Sequence, residues 1–296
     1  MRQYQPDTTP GLSVGDLAAL KSVKRVRIRR FGAEGGTCDD VVATEEPLEI
    51  RLSYTHPDGR RAQKSISITM RTPGNDEELA VGFLAGETII AAAGDVRGVE
   101  HCGPPSPDKG IRNVIRVELA DHVRVDAGGL LRHFYTTSSC GVCGKASLDA
   151  VRVQIGERRP ASFRVTADAL KRLPAVLRDR QTEFAHTGGL HAAGSFDASG
   201  ALRRVREDVG RHNALDKLAG SYLAEGGLAG YGILLSGRAS FELMQKAAVA
   251  GAPFVASIGP PSSLAVEMAQ DQGITLAGFL KADRFNIYAA GQRITA

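Results

Sequence analysis

Apolar and polar positions set the first expectations. The first twenty residues are polar and rich in Pro and Gly, with no sustained apolar period, and read as a flexible tail. Between 21 and 31, Val23, Val26 and Ile28 interleave with Lys21, Lys24, Arg25, Arg27, Arg29 and Arg30. That pattern predicts a strand over 23–31 with a solvated basic face, or an edge that meets a partner. Strand-like runs recur at 47–54 and 64–70, around the turn signal His56-Pro57-Asp58-Gly59. Asn75 is positioned to cap a helix from Asp76 through Ile90, with Asp76, Glu77 and Glu78 at its positive end. Another strand is expected at 113–119. The stretch 126–145 is Gly-rich and polar and reads as a loop; 148–155 is ambiguous, and 167–177 has a helical period.

The last third has a different rhythm. Apolar runs at 231–235, 253–258, 274–280 and 285–290 alternate with helical periods at 241–250 and 264–270. Such alternation predicts βαβ units on a partly parallel sheet. The expected fold class is therefore α/β with an α+β N-terminal part. Its divisions are a tail at 1–20, a small α+β domain at 21–135, and a second domain at 136–296 with a mixed sheet flanked by helices. Ligands of parallel sheets bind beyond the carboxyl ends of the strands. Here those ends are Ser236-Gly237-Arg238, Gly259-Pro260-Pro261-Ser262 and Lys281-Ala282-Asp283-Arg284.

Composition narrows the function. The 296 residues include 43% apolar and 24% charged residues, which supports a packed core. A net charge of +4, no Trp and 5% aromatics argue against a nucleic-acid-binding surface. No apolar run approaches the ~20 residues of a membrane span, and the N-terminus lacks the pattern of a secretory signal. The expectation is a cytoplasmic protein with no membrane contact. In that compartment four cysteines do not read as structural disulfides.

The sharpest chemical signal is Ser139-Cys140-Gly141-Val142-Cys143-Gly144. A thiol with an ordinary pKa near 8.5 is only partly ionised at neutral pH, so reactivity needs nearby positive charge. Lys145, Arg132 and His133 are close in sequence. Three chemistries fit the spacing. The pair is half of a zinc site, which His101-Cys102 would help complete. It also fits a thiol–disulfide oxidoreductase. A Gly-flanked thiol that accepts sulfur and passes it on fits too. A zinc deaminase is disfavoured, because no histidine is followed two residues later by Glu.

Other constellations accompany it. In Arg206-Glu207-Asp208-Val209-Gly210-Arg211-His212-Asn213-Ala214-Leu215-Asp216-Lys217, Asp208 is a candidate helix N-cap. Arg211 and His212 then oppose the helix dipole, which a bound anion or polar ligand would explain; a salt-bridged surface helix is the plain alternative. Ser236-Gly237-Arg238 followed by Ser240 suits a phosphate at a helix start, or Ser240 is only a cap. His186 and His191 bracket a Gly turn and could line a polar cleft with Asp208 and His212.

These segments, in this order, resemble the formate dehydrogenase accessory sulfurtransferase family, FdhD. The likeness is carried by Glu46-Pro47-Leu48-Glu49-Ile50, Met70-Arg71-Thr72-Pro73-Gly74, the 138–144 and 206–217 motifs, Ser236-Gly237-Arg238 and Gly278-Phe279-Leu280, and it runs from about 25 to 288. The resemblance implies a sulfurtransferase that takes persulfide sulfur from a cysteine desulfurase. It delivers that sulfur to the bis-molybdopterin guanine dinucleotide molybdenum cofactor, bound as a client, for formate dehydrogenase. It implies Cys140 as persulfide carrier with Cys143 beside it, and no metal of the protein's own. The nucleotide ends, which resemble GDP, would be held by Phe279, Leu280, Lys281, Ala282, Asp283 and Arg284, with Ser236, Arg238, Asp208 and His212 contributing. It further implies a homodimer and, for the second domain, a cytidine-deaminase-like fold without the catalytic zinc site. Cys38 and Cys102 receive no role from it.

Overall fold

A computed structural model describes residues 20–32, 35–56, 58–107, 110–125 and 162–296. The loop bearing Cys140 and Cys143, the ambiguous stretch 148–155, most of the tail and the expected domain boundary at 135/136 lie outside the described residues.

The basic run is strand β1 (Val23–Arg30), which pairs antiparallel with β2 (Gly36–Ala43) as a two-stranded ribbon separate from both larger sheets. Next come β3 (Glu46–Thr55), β4 (Arg61–Arg71), helix α1 (Asp76–Gly86), β5 (Val96–Pro105) and β6 (Arg112–Leu119). They form a sheet ordered β4-β3-β6-β5, with β3 and β6 parallel. Leu48, Ile50 and Leu52 alternate along β3, and Ile115, Val117 and Leu119 along β6; all six are fully buried. Period-two alternation puts them on one face, against Leu79, Ala80 and Leu84 of α1.

The helix is shorter than its sequence pattern predicts. Thr88 takes a left-handed φ of 58°, and its N–H donates to Ala85 O while Ile89 N–H donates to Leu84 O. This Schellman closure ends the helix early and turns Ile90 into the core. Asn75 occupies the N-cap position, but its side chain makes no capping bond.

The second half contains β7 (Val165–Thr166), α2 (Ala167–Arg180), α3 (Thr182–Thr187), β8 (His191–Phe196), β9 (Leu202–Asp208), α4 (Arg211–Ser221), β10 (Gly232–Leu235), α5 (Phe241–Val249), β11 (Phe254–Ser257), α6 (Ser263–Asp271), β12 (Thr275–Gly278), β13 (Asn286–Ala289) and β14 (Ile294–Thr295). Its six-stranded mixed sheet runs β13-β12-β11-β10-β8-β9, with β10, β11 and β12 parallel. Those three strands are buried along their whole length, as continuous apolar runs in a sheet covered on both faces should be. Helices α4, α5 and α6 cover one face through Leu215, Leu243 and Ala269. Helix α2 covers the other through Leu170, Leu173 and Leu177, beside the ring cluster Phe163, Phe196 and Phe254.

The halves meet where α1 crosses α4 at backbone contact. A Cβ on Gly82 would lie 1.8 Å from Asp216 O, and one on Gly220 1.9 Å from Glu78 O. Only glycine at both positions permits this approach.

Strands β2, β5, β8 and β9 carry no clear period of two in the sequence. In β9, Arg204 lies over the Tyr222 ring and pairs with Glu225, Arg206 pairs with Glu78, and Asp208 is buried against Thr72 and Lys217, so charged side chains take the positions that face protein.

Candidate functional site: the strand-end edge

Because β10, β11 and β12 are parallel, their carboxyl ends share one edge. Backbone bonds join the turns beyond them. Gly259 N–H donates to Gly237 O at 3.0 Å, Phe279 N–H to Gly259 O at 3.2 Å, and Ala239 N–H to Pro260 O at 3.2 Å. The fit is close: a Cβ on Gly259 would sit 3.0 Å from Arg238 N, so the joined turns would have to shift to admit one. Helices α5 and α6 begin at this edge, so their positive ends face it. Ser262 Oγ caps α6 by accepting from Ala265 N–H. Ser240 holds the equivalent place on α5 without capping it, and its buried Oγ has no partner.

The turn after β12 presents mixed chemistry. Phe279 has a left-handed φ of 53° and is 41% exposed as a residue. Leu280 is in the core, so only its backbone is available to a ligand. Lys281, Ala282, Asp283 and Arg284 are exposed, and Lys281 N–H donates to Arg284 O, closing the turn. Asp283 lies 3.5 Å from its neighbour Arg284, a loose contact in water. Arg238 is exposed and, like Lys281, has no ion-pair partner among the described residues. The edge therefore carries three solvent-facing cations above two helix N-termini.

Further along the edge, Ser236 Oγ accepts from Ala192 N–H at 2.8 Å and ties the β10 turn to β8. The first residue of β8, His191, lies against Gly237. Burial holds its pKa below the ordinary value, and the charges of Arg211 and His212 lower it further. His212, in the first turn of α4, places Nε2 2.9 Å from Glu242 Oε2 in the first turn of α5, without the alignment of a ring N–H bond.

Asp208 corrects its expectation. It is the last residue of β9, and the N-cap of α4 is Gly210. Its carboxylate is fully buried, accepts from Thr72, Gly210 and Asn213, and pairs with Lys217 Nζ at 2.7 Å. Asn213 also donates to Met70 O, Lys217 to Thr72 O, and Arg206 forks Glu78 through Nε and Nη2. Across α4, Asp216 pairs with Lys246 at 2.8 Å. Thus 70–74 and 206–217 dock on each other. Arg71, fully buried, forks Asp76 with bonds of 2.9 and 3.0 Å from the first half. The charge in this motif serves mainly the junction; a carboxylate so enclosed is not presented to a ligand.

Two residues were not singled out as candidates from sequence. Glu207 accepts from Glu183 N–H and Phe184 N–H at the start of α3, and burial lifts its pKa to about 7. Burial also raises that of Glu183. Both line a cavity of about 180 Å³ with Gly74, Arg180, Arg206 and Lys217. A larger space of about 500 Å³ lies at the start of α1, bordered by Lys21, Asn75, Glu77, His101 and Arg112. Cys38 and Cys102 are free thiols, and His101 Nε2 points at Asp76 from 3.4 Å.

The architecture is thus an α/β protein with two larger sheets and a cation-bearing edge on the second. Residues 43–295 match the FdhD/NarQ family, and the chain belongs to that family. It is similar to the sulfur carrier protein FdhD of Streptomyces coelicolor, with 48% identity over 278 residues, covering 92% of this chain and 94% of that one. The sulfur carrier protein FdhD of Mycobacterium tuberculosis is 46% identical over 278 residues, covering 91% and 97%. Among solved structures, a Desulfotalea psychrophila protein described as a formate dehydrogenase accessory protein superposes with a TM-score of 0.67 at 25% identity, covering 92% of this chain and 98% of that one. Among the described residues no helix is long and apolar enough to cross a membrane.

Proposed function

We propose that the chain is a sulfur carrier that serves formate dehydrogenase. The observation that carries this reading is the near full-length similarity to proteins named as sulfur carriers. In this reading Cys140 receives sulfur in the cytoplasm from a cysteine desulfurase. Its thiolate attacks the outer sulfur of the donor persulfide. One S–S bond breaks, another forms on Cys140, and the donor cysteine leaves as thiolate without net oxidation. For release, Cys143 attacks Cys140. The pair becomes a disulfide, and its two electrons let the outer sulfur leave as sulfide for the molybdenum of the client cofactor.

The strand-end edge is the proposed seat for a guanosine diphosphate end of bis-molybdopterin guanine dinucleotide. Lys281, Arg284 and Arg238 supply charge toward phosphate, Phe279 a stacking face, and Asp283 acceptors for the N–H groups of a guanine edge. Ser236 and His212 support the edge rather than reach out from it. A homodimer would present two such seats to the two ends of one cofactor. The parallel strands β10–β12 with α5 and α6 are compatible with a cytidine-deaminase-like second domain.

Two measurements test the reading. Intact mass after incubation with a cysteine desulfurase and cysteine should rise by one sulfur, reversibly with reductant, and Cys140→Ser should not gain it. Guanosine diphosphate at millimolar concentration should raise the melting temperature by mass action, and no shift would remove the nucleotide assignment.

A further inference from the structure

We infer that the β1–β2 ribbon is a docking arm for the protein that hands sulfur to this chain, and that it fits a carboxylate-rich surface with an apolar seat. The inference rests on the sulfur-carrier reading for the partner's role and on the ribbon itself for the chemistry.

The ribbon is eight residues long in each strand, about 26 Å at the rise of an extended chain, and joins neither larger sheet. An isolated two-stranded ribbon is only marginally stable in water. This one is tied down at its base: Thr44 N–H donates to Ser22 O, Ser22 bonds the Glu183 side chain, and β2 packs on α3. Nothing comparable holds its outer part among the described residues.

Register places Arg25, Arg27 and Arg29 on one face, opposite Val41, Asp39 and Thr37. All three arginines are exposed, and Arg25 pairs with Asp39. Arg27, Arg29 and Arg30 have no ion-pair partner among the described residues. Arg29 faces Thr37 and Arg30 faces Gly36 across the ribbon, so neither has a carboxylate directly opposite, and a partner's carboxylates would supply one. Phe31, at the end of the strand, is 99% exposed. Lysines lie at the base and arginines outward. Guanidinium forks and aromatic rings are the groups that anchor protein interfaces, whereas lysine is depleted there.

The same charges select among occupants. Two copies of this ribbon would repel. Phe31 and Val42, the ribbon's exposed large apolar residues, are too little apolar surface for stable membrane anchoring, and a phosphate backbone offers no apolar seat for the Phe31 ring. An acidic protein surface with an apolar seat meets both features, the arginines without ion-pair partners and the exposed Phe31 ring.

The test compares the full chain with Arg27→Glu/Arg29→Glu and with Phe31→Ser. Sulfur loading is followed by intact mass, from a persulfide-bearing cysteine desulfurase and from inorganic polysulfide. Direct binding of the desulfurase is measured without transfer. At low salt the double variant should load at least tenfold more slowly from the protein donor and bind it at least tenfold more weakly. Loading from polysulfide should be unchanged, showing that the fold and thiols are intact. Phe31→Ser should give a smaller loss, and added salt should slow the wild-type chain toward the double variant. Equal donor binding by wild type and double variant overturns the arm. Donor binding that depends on the ribbon, with no sulfur loaded from either source, keeps the arm and removes the carrier reading. Duplex DNA or phosphatidylserine vesicles bound through Arg27 and Arg29, with donor binding unaffected, would also overturn it.

Discussion

The α1–α4 junction and the edge above β10–β12 are both dense in charge, and they use it in opposite ways. At the junction Asp208, Lys217, Arg71, Asp76 and Asp216 are buried and each has a partner. At the edge Arg238, Lys281 and Arg284 stand in solvent over helix N-termini. A buried charge must be neutralised by its own protein, so it reports how the chain is held together. An exposed cation without an internal counterion is free to meet a ligand. Charge density alone does not separate the two; enclosure does.

The contrast is sharpest if each region is broken in turn. Lys217→Met leaves the fully buried Asp208 without its counter-charge and should cost about 3–5 kcal/mol, read as a lowered denaturant midpoint. The bonds from Thr72, Gly210 and Asn213 place the expectation toward the lower end. Gly220→Ala drives a methyl into Glu78 O and should cost about 3 kcal/mol. Gly94→Ala, with open space around it, should change stability by less than about 0.5 kcal/mol.

Glu207 gives the junction a pH dependence. Its pKa of about 7 lies above the ordinary 4.5, so between these values the folded chain holds a proton that the unfolded chain has released. Stability should therefore fall as pH rises from 4.5 to 7, by up to about 3 kcal/mol, and then level off. Denaturation at closely spaced pH values should show this slope, and Glu207→Gln should flatten it. An unchanged slope in the variant would assign the titration elsewhere. Thr88→Gly should stabilise by about 1 kcal/mol, because the left-handed φ at the end of α1 suits glycine better than a β-branched residue.

The edge should respond in the opposite currency. Lys281→Ala and Arg284→Ala should shift stability by less than about 0.5 kcal/mol while weakening guanosine diphosphate in a salt-dependent way. Asp283→Ala should reduce the preference for guanosine over adenosine diphosphate. Equal loss of both nucleotides would remove Asp283 from base recognition and leave the phosphate role intact.

Much of this was legible in the chain itself. Continuous apolar runs between helical periods predict β10, β11 and β12 with α5 and α6, and hence an edge carrying Arg238, Lys281 and Arg284, because burial on both sheet faces leaves an unmistakable apolar signature. The order of motifs pointed to the FdhD family. Tertiary structure alone decided what the charges in 206–217 are for. Asp208 reads as a helix N-cap because local sequence shows a carboxylate ahead of a helix, whereas its partners Thr72 and Lys217 come from 136 residues earlier and nine residues later. Likewise, β9 hides because charged side chains take several of its protein-facing positions, and Glu207 looks ordinary until burial raises its pKa. Side-chain periodicity records what a residue's own strand or helix wants. Enclosure, counter-charge and backbone contact at Gly82 and Gly220 arise only when distant segments meet.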